Sequence, residues 1–539
     1  TVQSVDGTTQ SITVTINDAG DPPADPSISV VGTDGDDVLV GGGGDDTLIG
    51  LDGRDTLIGN AGGDTLDGGS GINFLIGGAG DDLLLGDPTG ASFRVNFTTA
   101  NYRDASSSIT VSIQGSTSTQ IVQSDASVGT DTLVDINRIV GTAFNDVLSV
   151  EGDLVLHPSG DFNVGSFIEF EGGGGDDLIT GNDNTRLSYG KAADGVTVNL
   201  SNGTARGTAE GDVAGVGEDT ILGGVNQLRG SSFDDVLIGN DGPLVESFRG
   251  QGGDDFISGG NSIDRADYLN SPDSVFVDLS AGIAQDGFGG TDTLVSIENV
   301  RGSGLADDTL IGDAGNNDLD GRAGDDTLIG GGGDDSLRGS GGDDTLEGGS
   351  GQDFLSGGSG SDAFVFTSKD GSTRNLPGEN GFFGDVVSDY TVGEDQLVFE
   401  GMEGISYTGR VFEVVNGDLH TATADAIDAD PDIQNEIVFI LDSGPHLDFL
   451  SSQTRGFLYV KGVGSGADFD QMMIELQNVS VPPPVDAIVF SDPDAVIAGD
   501  ITATLTEDVA VDANGDLVAS GQLAITDDDA GEAFFRSET

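Results

Sequence analysis

The chain has no cysteine and no tryptophan, and it is poor in positive charge: 19 Lys and Arg stand against 94 Asp and Glu in 539 residues. Without cysteine there is no disulfide staple and no thiol nucleophile. The formal net charge of −75 cannot be neutralised from within, because the cations are not present. A nucleic-acid partner is disfavoured on the same ground, since phosphate binding needs clustered Lys and Arg. An anionic membrane surface is disfavoured likewise. No apolar run approaches the roughly 20 residues of a membrane span, so insertion is not expected. Histidine occurs only as His157, His420 and His446, and neither an HExxH zinc motif nor a GxSxG nucleophile elbow is present. Paired carboxylates are too frequent to mark glycoside chemistry. No enzymatic role is expected for these residues.

What is present is glycine and acid. Glycine supplies 90 residues and apolar side chains only 35%. Ordering so much glycine costs backbone entropy, and a thin core does little to offset it. Such a chain either stays solvated or waits for cations.

The acid is placed regularly. From Gly32 the sequence reads GTDGDDVLV, GGGGDDTLI, GLDGRDTLI, GNAGGDTLD, GGSGINFLI and GGAGDDLLL, ending at Leu85 with the period of nine unbroken. A second run of seven copies extends from Ser303 to Val365, and single copies stand at Gly172–Thr180, Gly230–Ile238 and Gly250–Ser258. A disordered tract does not hold an apolar residue two positions after an Asp at a fixed period. The glycine-rich half can turn tightly. The sixth-position Asp adds a carboxylate to exposed carbonyls, the oxygen set that hard cations take. The last three residues suit a short strand with one apolar side chain pointing inward.

These segments resemble the RTX nonapeptide G-G-x-G-x-D-x-U-x, where U is a large apolar residue. The resemblance implies a parallel β-roll with Ca²⁺ in its turns and two nonapeptides per coil. Alternate repeats then stack. Asp37, Asp55 and Asn73 form one ligand column, with Asp46, Asp64 and Asp82 opposite. In the second run Asp308, Asp326, Asp344 and Asp362 face Asn317, Asp335 and Asp353. Asp146, Asp177, Asp235 and Asp255 are the corresponding ligands of the shorter pieces. Gly41, Gly44, Gly50, Gly53, Gly330, Gly333, Gly339 and Gly342 would add carbonyls. Leu39, Leu57 and Leu75, against Leu48, Leu66 and Leu84, form the core. Asn73 and Asn317 lack the charge and mark weaker sites.

Three segments between the runs resemble one another, with Tyr102, Tyr189 and Tyr268 in matching places. Alternation in VTVNL and VFVDL argues for strands. They read as wider rungs of the solenoid, or else as small β inserts that interrupt it. After Asp362 the sequence is similar to the C-terminal end of secreted RTX proteins such as the roll domain of serralysin-type proteases. There Phe364 and Phe366 would close the core, and Asp385, Asp389 and Asp395 hold a last ion or cap turns. Residues 501–539 resemble the opening strands of a VCBS or cadherin-like β-sandwich. In them Asp512, Asp516, Asp527 and Asp529 fit calcium sites at a domain junction. The first residues resemble the closing strands of the same sandwich type.

The expected organisation is all-β. A partial sandwich at 1–20 and a linker at 21–31 precede a first roll at 32–90. Inserts at 91–140, 185–229 and 265–302 alternate with RTX stretches at 141–184 and 230–264. A second roll at 303–365 leads to a β-rich cap at 366–480, a Pro-rich linker at 481–500 and the second partial sandwich. Incomplete sandwiches at both ends suggest either a section of a longer chain or copies that complete each other head to tail. The expected function is an extracellular, calcium-dependent structural protein of a bacterial surface adhesin, matrix filament or surface layer. It folds on Ca²⁺ after type I secretion, with neighbouring domains or copies of itself as partners. The alternative is a non-catalytic secretion and folding module of a larger secreted enzyme. An ice- or sugar-binding face would want a regular Thr row. Thr47, Thr56 and Thr65 recur, but Val38, Phe74 and Leu83 break it.

Overall fold

The computed structural model describes residues 26–87, 96–114, 120–123, 128–151, 167–367, 385–391 and 394–400, and beyond these the strands at 406–414, 436–442, 455–461, 472–477, 488–491, 509–511 and 517–519. Among the described residues every regular element is a strand. No helix there is long and apolar enough to cross a membrane.

Each nonapeptide forms a turn followed by a short strand, and successive strands go to opposite faces. In the first sheet Thr47–Ile49 pairs in parallel with Thr65–Asp67, which pairs with Leu83–Leu85. In the second, Val38–Val40 pairs with Thr56–Ala61, which pairs with Ser70–Ala79. Leu48 lies against Leu66 and Leu39 against Leu57, a register of two nonapeptides per coil. The middle residue of each strand points inward, so Leu48, Leu57, Leu66, Leu75 and Leu84 are fully buried. The chain folds as a parallel β-roll. Its turns need unusual backbone: position 4 at Gly53 has φ +134°, and an added methyl there would lie 2.7 Å from the Gly35 carbonyl carbon of the coil before.

Between the runs the second sheet continues without interruption. Phe97–Asn101, Arg138–Val140, Ile168–Glu171 and Thr185–Ser188 follow one another in parallel. Val225–Arg229, Ser247–Arg249, Arg265–Asp267, Asn299–Arg301 and Asp318–Asp320 extend the same ladder.

The first sheet changes at three places. Between Leu83–Leu85 and Val147–Glu151 it holds three antiparallel strands, Thr130–Val134, Gln120–Gln123 and Thr110–Gln114. They stack against chain order: the last pairs back onto the coil before, the first forward onto the coil after. Glu218–Ile221, Thr204–Gly207 and Val196–Asn199 repeat this between Leu178–Thr180 and Val236–Ile238. Thr291–Val295, Ile283–Gln285 and Phe276–Asp278 repeat it between Phe256–Ser258 and Thr309–Ile311. The inserts thus widen single rungs of one face, while the flanking strands of the expected insert ranges belong to the second sheet.

After the second run Ala363–Thr367 pairs with Gln396–Glu400, and Phe354–Ser359 with Asp385–Val387. Phe364, Phe366 and Phe399 fill the core there, with the Phe366 and Phe399 rings stacked at 5.6 Å. The second sheet then turns antiparallel through Met472–Gln477, Arg455–Lys461 and Glu436–Asp442. The chain divides into two units, Thr1–Asp492 and Pro493–Thr539. In the second, Val509–Val511 pairs antiparallel with Leu517–Ala519. The sandwich strands expected at 1–20 and the histidines lie outside the described residues.

Candidate metal centres

The sixth-position carboxylates stand in two ladders, one along each sheet. Each Oδ1 accepts the backbone N–H of the equivalent residue one coil earlier. Asp46 N–H donates to Asp64 Oδ1 at 2.7 Å and Asp64 N–H to Asp82 Oδ1 at 2.8 Å. Opposite them, Asp37 N–H donates to Asp55 Oδ1 at 2.8 Å and Asp55 N–H to Asn73 Oδ1 at 3.0 Å. In the second run Asp308, Asp326, Asp344 and Asp362 are linked the same way, as are Asn317, Asp335 and Asp353. Asp146 with Asp177, and Asp235 with Asp255, continue the first-sheet ladder between the runs.

The other carboxylate oxygen carries the chemistry. At Asp55, Asp64, Asp82, Asp177, Asp255, Asp326, Asp335, Asp344 and Asp353, Oδ2 is buried with no hydrogen-bond partner. An orphaned buried oxygen is costly, and a charged one more so. Each of these oxygens faces the first glycine of its own repeat, and at Asp55, Asp64, Asp335 and Asp344 a carbonyl from the next coil stands beside it. A methyl added to Gly50 would meet Asp55 Oδ2 and lie 2.6 Å from the Gly68 carbonyl oxygen. Gly41, Gly330 and Gly339 make the same cradle with Asp46, Asp335 and Asp344 and with the carbonyls of Gly59, Gly348 and Gly357. At position 4, Gly53, Gly333 and Gly342 each sit against the backbone of the coil before, which holds Gly35, Gly315 and Gly324 at that place; Gly44 in turn lies beneath Gly62. Among the described residues no three His, Cys, Asp or Glu side chains gather at one point. The donor set is instead one carboxylate oxygen and backbone carbonyls, which suits a hard cation such as Ca²⁺.

The electrostatics agree. Burial, with Asp219 beside it, pushes Asp177 up to about 9, and burial with Asp292 does the same for Asp255. Asp326 rises to about 8 and Asp82 to about 7, burial first and neighbouring aspartates after it. Like charges in a dry column resist ionisation until a cation joins them.

Asn73 and Asn317 behave differently from the aspartates. Each turns its amide nitrogen to a backbone carbonyl, Asn73 Nδ2 to Gly69 at 3.0 Å and Asn317 Nδ2 to Glu298 at 2.7 Å. At Asn73 a donor thus occupies the second ligand position, whereas at Asn317 the amide oxygen keeps it, facing Gly312 and accepting Asp313 N–H at 2.8 Å. Asp385 and Asp395 extend the two ladders, accepting from Asp353 N–H at 3.2 Å and Asp362 N–H at 3.0 Å. Asp389 instead accepts from Ser356 Oγ at 2.7 Å and Gly358 N–H at 2.9 Å. Asp512, Asp516, Asp527 and Asp529 lie outside the described residues.

Sequence reasoning missed three groups. Asp131, Asp219 and Asp292 continue the first-sheet ladder at the inserts, accepting from Asp82, Asp177 and Asp255 N–H. Their signal was the half-repeat G-x-D-T, at 129–132, 217–220 and 290–293. Glu246, Asp264 and Glu298 form a matching stack on the second sheet, linked by Glu246 N–H to Asp264 at 2.9 Å and Asp264 N–H to Glu298 at 2.9 Å. Fifth-position residues form an outer ladder in the opposite sense: Asp325 Oδ1 accepts Asp343 N–H of the coil after, at 2.8 Å. Asp325 and Asp326 together therefore tie three coils.

A different arrangement covers the outside of the second sheet between the runs. Arg138 and Arg186 bridge Glu169 at 3.3 and 3.2 Å. Arg249 and Arg301 converge on buried Asp267 at 2.7 and 3.5 Å.

The family model described as the RTX calcium-binding nonapeptide repeat matches residues 31–66, 58–88, 222–242, 246–266, 303–337 and 329–364. Among solved structures, the chain is similar to a subunit of the mannuronan C5-epimerase of Azotobacter vinelandii, at 27% identity over 38% of this chain and 91% of that one, with a TM-score of 0.20. It is also similar to the extracellular lipase of Serratia marcescens, at 16% identity over 87% of this chain and 41% of the lipase, with a TM-score of 0.14. No curated protein matches it. The chain thus carries RTX calcium-binding nonapeptide repeats in several copies, and its two long runs are built from them.

Proposed function

We propose that this chain is an extracellular, calcium-dependent structural protein, a section of a bacterial surface adhesin, matrix filament or surface layer. The observation that supports it is the series of buried, unpartnered carboxylate oxygens, each aimed at a glycine cradle. A bound Ca²⁺ supplies two positive charges and a demand for six to eight oxygen ligands. Asp55, Asp64, Asp82, Asp326, Asp335, Asp344 and Asp353 would hold it, with the carbonyls of the next coil. Where Ca²⁺ is scarce these carboxylates repel one another and the chain stays unwound, in a state fit for export. Outside the cell, binding to the folded state alone stabilises the roll by mass action. The repeated use of one carboxylate per turn for winding gives these carboxylates a structural part, and we assign the chain no catalysis. Its partners would be neighbouring domains or further copies of itself.

Circular dichroism and electron microscopy with and without EGTA test this reading. Strand signal lost on chelation, and filaments or sheets seen only with Ca²⁺, are expected. Unchanged strand content after chelation sinks it. A chain that folds with Ca²⁺ yet stays monomeric at every concentration points instead to the folding module of a secreted enzyme.

A further inference from the structure

A ladder of ion-binding carboxylates has an end problem. The last carboxylate is buried but has no further coil to share a cation with. It needs either one more ion or a neutral donor.

The first-sheet ladder meets this problem at every insert. Asp131 accepts Asp82 N–H on Oδ1 at 3.0 Å, as the regular column does. The strand beside it, Gln120–Gln123, is antiparallel, so no nonapeptide turn follows. Its second oxygen is not orphaned: the Tyr102 hydroxyl donates to Asp131 Oδ2 at 2.9 Å. The second insert repeats the arrangement, with Asp177 N–H on Asp219 Oδ1 at 3.0 Å and the Tyr189 hydroxyl on Oδ2 at 2.8 Å. The third does so again, with Asp255 N–H on Asp292 Oδ1 at 3.1 Å and the Tyr268 hydroxyl on Oδ2 at 3.0 Å. All three tyrosines are buried, at 4–5% exposure. A phenol hydroxyl satisfies the oxygen that a cation takes elsewhere, and it adds no charge.

The ladder restarts after each insert behind a second closure. Thr142 N–H and Oγ1 donate to the two oxygens of Asp146 at 2.6 and 2.9 Å. Ser231 does the same for Asp235 at 2.6 and 2.8 Å. Ser303 N–H donates to Asp308 Oδ2 at 2.6 Å. Thr33 N–H and Oγ1 likewise donate to Asp37 where the opposite column begins, so this closure marks the start of a column.

We propose that Tyr102, Tyr189 and Tyr268 are metal-free terminators of the first-sheet column, which divide it into four separately loaded blocks and keep calcium off Asp131, Asp219 and Asp292. The blocks are Asp46–Asp64–Asp82, Asp146–Asp177, Asp235–Asp255 and the run from Asp308 onward. The proposal rests on the calcium reading of the columns, and the test separates the two.

Bound Ca²⁺ per chain is counted by equilibrium dialysis on the full chain. One variant carries Asp131→Asn, Asp219→Asn and Asp292→Asn; a control carries Asp64→Asn, Asp326→Asn and Asp344→Asn. The first should keep the unaltered chain's count and the control should fall below it. Equal counts in the two variants, both full or both reduced, overturn the proposal. An unaltered chain that binds no Ca²⁺ instead removes the calcium reading itself. A Tyr102→Phe, Tyr189→Phe, Tyr268→Phe variant keeps the rings and loses only the donors. Its Ca²⁺ midpoint for folding should rise about fivefold or more, since buried carboxylates lose a hydrogen bond. An unchanged midpoint also overturns the proposal. The three single Tyr→Phe variants run beside it, so a triple variant too damaged to fold still leaves each closure measurable.

Discussion

The nonapeptide runs and the stretch between them use the same coil but answer its charge differently. In the runs at 32–85 and 303–365, buried aspartates stack with open oxygens and almost no cations nearby. Between them, the second sheet carries arginines on its outer face, and Asp267 sits between Arg249 and Arg301. One region depends on counter-charge from solution; the other has much of it built in. On the calcium reading, the runs would be wound with metal where the stretch between them uses guanidinium.

Removing calcium should separate the two regions most sharply. Hydrogen exchange followed by mass spectrometry in EGTA should show 32–85 and 303–365 exchanging fully, while 225–301 keeps measurable protection. Uniform exchange along the chain would erase the distinction.

Acid should act next most strongly, and with opposite signs at the run aspartates and at Asp267. In the runs, burial and neighbouring aspartates raise Asp326 to about 8, Asp335 to about 7 and Asp344 to about 6, from an ordinary value of 3.8. The metal-free folded state then holds more protons than the unfolded one. Its stability is greatest below the ordinary carboxylate value and is lost as pH rises through about 6–8. In EGTA, acidification from pH 8 to 5 should therefore restore strand signal to the runs. For Asp267, burial acts upward, but Arg249, Arg301 and Arg265 outweigh it and hold the carboxyl below its usual range. Its contribution is present above the ordinary value and fails only in strong acid. Circular dichroism that falls on acidification in EGTA would contradict the first sign.

Arg249→Ala leaves Asp267 buried with one partner fewer. It should cost about 3 kcal/mol in chemical denaturation at saturating Ca²⁺, with the Ca²⁺ midpoint of the runs unchanged. Gly339→Ala should do the reverse on a smaller scale. Its methyl would meet Asp344 Oδ2 and lie 2.7 Å from the Gly357 carbonyl oxygen. A cost of about 2 kcal/mol is expected from overpacking, together with weaker Ca²⁺ binding in the second run. Equal effects of both substitutions on the Ca²⁺ midpoint would show that the regions are not separate.

The runs were legible because the period never slips. An Asp at six and an apolar residue at eight give the columns and the leucine stacks by counting alone, and Leu48 does stack on Leu66. The inserts break the counting. Asp82 and Asp131 are adjacent in the ladder but 49 residues apart in the chain, and Asp255 and Asp292 are 37 apart. Tyr102, Tyr189 and Tyr268 were visible as matching positions, but their partners are set by the antiparallel strands, which no fixed spacing encodes. The arginine pairs were hidden for the same reason: no period encodes the register that sets Arg229 beside Arg249 and Asp267 beside Arg301.

The pairing distances also set a timetable. Within a run, a new rung needs only the residue 18 places back, as Asp326 needs Asp308, so winding advances by short steps with little loop entropy to overcome. At the inserts the step lengthens to 49, 42 and 37 residues. A chain that meets its ions one end first would wind quickly, halt until each antiparallel trio is complete, and then resume: three scheduled pauses written into an otherwise even ratchet.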